Sequence, residues 1–186
     1  MTRLRTWRRW GAVLRGAAHC PLPSTAYGAQ TMTDRSQLLA DLRRTRDLTL
    51  PYFSYPPEIV ARSYGPGKWN VHQLLMHLTD HESVVLDRLR RTAADPAETV
   101  LLPGYDQDAW ANGLFYRNRS LAIAAKLFDG ARSSLIELIE QLPVDLEGRS
   151  GLHSQRGRMT LLQQGDTWGH NDHHLVQIRA AVGSAV

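Results

Sequence analysis

From Asp34 onward, apolar positions along this 186-residue chain recur with helical spacing. A first segment, about Arg35 to Leu48, carries Leu38, Leu39 and Leu42 and stops ahead of Pro51. An irregular stretch with Pro56-Pro57 and Gly65-Pro66-Gly67 leads to a second helix, predicted from about Val71 to Ala94. Asn70 is placed to cap that helix, with Gln73 three residues on to reach back, a variant of the capping box. Val71, Leu75, Leu78, Val85 and Leu89 form a seam with a repeat of about 3.5 residues, so the helix buries one stripe. Glu82 interrupts the seam. A carboxylate buried there needs a partner, a proton or a function, unless the helix is rotated enough to expose it.

Residues 95–118 read as a long connection, with Pro96, Pro103 and Gly104 and the aromatics Tyr105, Trp110, Phe115 and Tyr116. A third helix is predicted from about Ser120 to Leu142, turning Leu127, Ala131, Leu135, Leu138 and Leu142 inward. Residues 143–159 read as polar loop. Thr160 with Gln163 then forms a second capping box and opens a fourth helix to about Val182, striped by Trp168, Leu175, Ile178 and Val182. No internal repeat and no strong strand alternation is present. Four long amphipathic segments, with one long crossover between the second and third, predict an all-α four-helix bundle over residues 32–186.

Composition fits one globular domain, with 42% apolar and 22% charged residues. The single cysteine, Cys20, excludes an internal disulfide framework and a thiolate zinc cluster. No window approaches the 18 or so apolar residues of a helical membrane span. The pI near 9.6 suggests nucleic acid, but the excess is local. Arg3, Arg5, Arg8, Arg9 and Arg15 precede the first acid, Asp34, and the rest of the chain sets 17 basic residues against 18 acidic ones, a net charge of −1. A near-neutral body offers no footprint for a phosphate backbone, so no nucleic-acid partner is expected. Residues 1–31 read as a structureless leader or an over-long start ahead of Met32. Their apolar run, Trp10 to Leu14, is short of the roughly 7–15 residues an export signal needs, so a cytoplasmic location is expected.

Candidate chemistry lies in the histidines. Helix two carries His77 and His81; helix four carries His170, His173 and His174. Residues four apart share one helix face, so His170 and His174 can aim at one point while His173 points more nearly away. His77 and His81 flank the seam of helix two, and if the two helices are neighbours, three or four imidazoles converge inside the bundle. Imidazole suits zinc, nickel, iron and copper, and three protein ligands leave a position open for water or substrate. Asp80, one turn from His77, reads either as an acid orienting a ligand ring through its other nitrogen or as an exposed helix acid. Arg88, Arg90 and Arg91 read as favourable partners of the helix dipole. No nucleophile elbow and no phosphate-cradling loop is present.

Three blocks carry a resemblance: PGKWNVHQLLMHLTDHE (66–82), YDQDAW (105–110) and WGHNDHHLVQI (168–178). In that order they resemble the helix-two signature, the crossover and the closing metal helix of the DinB/YfiT-like superfamily. The resemblance spans about Met32 to Ala181. It implies an up-down-down-up course and a divalent metal ion, zinc or nickel, held by His77, His170 and His174, with His81 and His173 demoted. It also implies a homodimer, and an enzyme that is either a transferase using a low-molecular-weight thiol such as bacillithiol or mycothiol, or a metal-dependent hydrolase. Where the family pattern has histidines, this chain has Met76 and Gln177. The leading expectation is transfer of the thiol to an electrophilic small molecule, with Tyr105 and Trp110 contacting the electrophile and Asp80 tuning a ligand. The rivals are hydrolysis by a metal-activated water, and a non-enzymatic, stress-induced metal-binding bundle in which His81 completes a closed four-ligand site.

Overall fold

Asp34 accepts a hydrogen bond from the Gln37 amide at 2.8 Å and starts α1, Arg35–Thr49. The computed structural model describes residues 34–95, 100–166 and 169–183; the leader and Trp168 lie outside the described residues. Pro51 turns the end of α1 into a 3₁₀ segment, Leu50–Ser54, and a short α2, Pro57–Val60, follows. The predicted capping box opens α3, Val71–Ala94: the Gln73 amide donates to Asn70 Oδ1 at 2.9 Å and the Asn70 amide donates to Gln73 Oε1 at 3.2 Å. The crossover contains a strand, β1 (Val100–Leu102), and α4 (Gln107–Gly113) before α5, Leu121–Gln141, begins at its Ser120 cap.

The four bundle elements are α1, α3, α5 and the pair α6 (Leu161–Asp166) and α7 (His170–Val182), in the up-down-down-up course. Helix α3 lies at the centre, packing on α5, α6 and α7, and the crossover covers it through β1 and α4. Hence it buries more than its seam. Leu74, Met76 and Leu86 are buried as well as Val71, Leu75, Leu78, Val85 and Leu89.

Three expectations are corrected. The fourth helix is two helices, because Gly169 sits in the left-handed region at φ 66° and breaks the helical path ahead of His170. On α5 the inward face is rotated: Phe128 and Ile139 are fully buried, whereas Leu127 is 44% exposed. The stretch 143–159 is not all loop. It contains a hairpin of β2 (Ser150–His153) and β3 (Gly157–Thr160), and β1 pairs with β2 in parallel. Gly151 is required there, since a Cβ would stand 2.6 Å from Leu102 Cδ1.

Two apolar clusters fill the bundle. One gathers Leu74, Leu75, Leu78, Phe128, Leu175 and Ile178, the other Leu38, Leu42, Leu89, Leu135, Ile139 and Leu161. Between their members on α3 and α5 fall Glu82 and Arg132, and this pair explains the interrupted seam. Arg132 Nε and Nη2 donate to the two Glu82 carboxylate oxygens at 2.6 and 2.5 Å, while its Nη1 reaches Leu42 O and Thr45 Oγ1. Phe128 and Ile136 lie one turn either side of Arg132, so this bidentate contact fixes which face of α5 turns inward.

Candidate metal centre

His77 comes from the second turn of α3, and His170 and His174 from the first two turns of α7, which packs against α3. All three are at least 96% buried. Their Nε2 atoms converge: His77 to His170 is 3.0 Å and His170 to His174 is 3.2 Å. The ligand atoms of the three rings all lie within 4.8 Å of one another. Zinc–nitrogen bonds of about 2.0–2.1 Å set tetrahedral N···N edges of roughly 3.3 Å, which the two separations to His170 match, so the three rings are placed to share one ion.

The protonation states fit as well. Burial, reinforced by the neighbouring histidines, holds His77 and His170 well below the ordinary imidazole pKa. Burial also pulls His174 down to about 4, although a hydrogen bond to Gln177 opposes the shift. The rings are therefore neutral at physiological pH, the form that binds a metal. Gln177 Oε1 lies 2.8 Å from His174 Nδ1, so Nδ1 carries the proton and Nε2 presents its lone pair to the cluster. The Gln177 amide nitrogen lies 3.0 Å from His173 Nε2, which fixes the orientation of the amide. His77 Nδ1 and His170 Nδ1 are buried without a protein partner. Three imidazole nitrogens this close in a buried site are an arrangement that a cation suits when each turns its lone pair inward.

Among the neighbours, Asp80 and Arg88 depart from the sequence reading. Asp80 does not orient His77: its carboxylate takes a hydrogen bond from Arg119 Nη1 at 2.8 Å, leaving His77 Nδ1 unpartnered. His81 is buried beside the cluster but stacks flat on His170, ring centroids 3.8 Å apart, with Nδ1 3.2 Å from the Tyr105 hydroxyl. Its ring thus lies alongside the ligand set and is not one of the converging group. Asp172 is half-exposed and paired with Arg44 on α1. Arg88 is no surface partner of the helix dipole: it is 9% exposed and donates to the Pro103 carbonyl. Sequence reasoning missed Gln177 as an orienting residue. The available signal was its position three residues after His174, on the same helix face.

Across Tyr105 from the cluster, its ring centroid 6.4 Å from that of His77, runs an open groove of about 1190 Å³, between α3, β1 and α4, with Val84, Leu101, Trp110, Leu114 and Phe115 among its walls. Tyr105 stacks on Trp110 at 4.2 Å and lines this groove. It also lines a second cavity that reaches His81 and His170.

The sequence model described as the DinB superfamily matches residues 41–178. Two proteins of Oceanobacillus iheyensis, each named "putative metal-dependent hydrolase", are similar to this chain. One is 26% identical over 129 residues, 68% of this chain and 72% of the relative. The other is 28% identical over 123 residues, 65% and 69% of the two chains. Among solved structures, YfiT from Bacillus subtilis, described as a "probable metal-dependent hydrolase with an unusual four-helix bundle topology", superposes with a TM-score of 0.69 at 16% identity over 84% of this chain and 92% of its own. An uncharacterised protein from Escherichia coli UTI89 gives a TM-score of 0.57 at 15% identity, over 82% and 95%. At these identities the structural matches speak for the fold.

Proposed function

The chain belongs to the DinB superfamily, and on that premise we propose that it is a metal-dependent enzyme. In this reading His77, His170 and His174 hold one divalent ion and leave its remaining side open to a small nucleophile. The observation that carries it is the convergence of three buried histidines, held neutral by burial, one residue, Tyr105, away from an open groove. An ion bound there supplies Lewis acidity, lowering the pKa of a thiol or water that it binds so that the nucleophilic form is present near neutral pH.

The nucleophile we assign is a low-molecular-weight thiol, delivered to an electrophilic small molecule in the groove. The two carboxylates on α3 nearest the cluster support this choice. Asp80 is committed to Arg119 and Glu82 to Arg132, so neither is free to take a proton from a nucleophile. A thiol, already acidic, makes the smaller demand on such a base. Trp110 and the apolar wall of the groove receive the electrophile, while Trp69, whose ring centroid is 5.2 Å from that of His77, shields the cluster from water. Tyr105 keeps its proton, since burial raises its pKa, and holds His81 through its hydroxyl.

A second reading, hydrolysis, is favoured by the names of the two Oceanobacillus relatives. One experiment separates them. Protein purified without a metal-binding tag should carry about one metal ion per chain by mass spectrometry, lost in His170→Ala/His174→Ala. The loaded protein is then offered glutathione, bacillithiol or mycothiol with a generic electrophile, beside a panel of activated esters and amides. Metal-dependent conjugation supports transfer. Ester or amide cleavage with no thiol-dependent rate supports hydrolysis.

A further inference from the structure

The chain buries two arginines of the bundle in opposite ways. Arg132 is satisfied internally: a bidentate carboxylate, a carbonyl and a hydroxyl surround its guanidinium. Arg88, on α3 a turn and a half after Glu82, is 9% exposed, yet among the described residues it makes no ion pair. Its only hydrogen bond there is Nη2 to the Pro103 carbonyl, and its Nε is buried without a partner. A mostly buried guanidinium with no ion pair and one nitrogen left without an acceptor is costly to maintain, which favours a bound anion.

Arg88 stands between the open groove and a cavity of about 100 Å³ that also touches His81, Tyr105, His153, Arg156 and His170. That volume is several times what one water requires. A second orphaned polar atom belongs to the same wall: His81 Nε2 is buried and unpartnered. Its Nδ1 lies 3.2 Å from the Tyr105 hydroxyl, and in the tautomer where the phenol donates to Nδ1 the ring's N–H is Nε2. Two donors without acceptors, one of them cationic, therefore share a pocket one ring away from the metal cluster.

We propose that this cavity is a carboxylate pocket: the small molecule that reacts at the histidine cluster carries a carboxylate, which docks on the Arg88 guanidinium with His81 Nε2–H as a second donor. Assigning the carboxylate to the reacting molecule rests on the function proposed above. Arg156 lines the same cavity, so its wall is cationic, and Arg88 is the guanidinium there with a buried nitrogen left without a partner. The planar guanidinium matches a carboxylate bidentately. A carboxylate seated there brings the rest of its molecule past His170, at the edge of the metal cluster.

The test uses the full-length, metal-loaded protein, with sodium acetate as probe against sodium chloride and sodium phosphate at equal ionic strength. Acetate should bind saturably by titration calorimetry and raise the melting temperature, chloride and phosphate much less. Arg88→Gln, at matched metal content, should weaken acetate binding by about tenfold or more, the loss expected of a charge-assisted pair. Without acetate this variant should melt no lower than the parent, because it removes an unpartnered buried charge. An acetate effect no larger than that of chloride overturns the proposal. So does a preference for phosphate, or wild-type acetate affinity in Arg88→Gln, which would put the acetate on the metal. Should Arg88→Gln not fold, the comparison of the three anions on the wild type decides alone, with Arg88→Lys as the charge-conserving variant expected to keep partial binding. Metal content separates this proposal from the previous one. Metal bound without an acetate effect removes the pocket and leaves the enzyme reading, whereas acetate binding to a chain that takes up no metal does the reverse.

Discussion

Gln177 illustrates how one side chain can decide the state of another. It accepts from His174 Nδ1 and so leaves Nε2 as the lone pair at the cluster. Losing such an orienting partner typically weakens metal affinity about 10- to 100-fold. Gln177→Leu should therefore bind zinc more weakly by that order in a chelator competition, with little loss of helicity, since residue 177 is only partly buried. Asp80→Asn, by contrast, should leave zinc affinity near the wild-type value, because Asp80 is paired with Arg119 and makes no contact with His77 Nδ1. A zinc affinity that falls equally in both variants would contradict this division of roles.

At the scale of elements, the contact between α3 and α5 depends on the Glu82–Arg132 pair, whose side chains are 3% and 2% exposed. Removing one partner leaves a buried uncompensated charge. Glu82→Leu should thus destabilise by about 3–5 kcal/mol in denaturant unfolding. Glu82→Leu/Arg132→Leu should recover most of that loss, since apolar side chains of similar volume often replace a buried ion pair at no net cost. A double variant as unstable as the single one would mean that Arg132 acts mainly through its bonds to Leu42 O and Thr45 Oγ1, which tie α5 to α1.

For the whole molecule, five histidines are buried among the described residues: His77, His81, His153, His170 and His174. Burial lowers the pKa of each, to about 4 for His153 and His174. As pH falls through the ordinary value near 6.5, the unfolded chain takes up protons that the folded chain does not, so stability declines. The metal-free protein should accordingly be most stable above pH 6.5 and lose stability down to about pH 4, by roughly 1.4 kcal/mol per pH unit for each buried histidine. His153→Asn, which lies outside the metal cluster, should reduce that slope by about one such increment. A melting temperature that stays flat between pH 7 and 4.5 would mean that these rings are solvated.

The sequence by itself determined the helices, because their signals are local. The seam of α3, the capping boxes at Asn70 and Thr160, and the prolines and glycines between segments act within a few residues of where they stand. The four-residue spacing of His170 and His174 was equally legible, being a property of one helix. What only the tertiary structure decided depends on contacts between distant residues. Strands of three or four residues carry too little alternation to read, and β1 exists because Leu102 finds Gly151 far along the chain. The inward face of α5 follows from Arg132 meeting Glu82, and the break before His170 from a glycine that sequence alone allows in either backbone region. Whether Asp80 served His77, whether Glu82 was buried and whether Arg88 faced water were questions of partnership. Asp80 and Glu82 went to Arg119 and Arg132 and Arg88 to the Pro103 carbonyl, partners close in space whose distance the spacing along the chain does not encode.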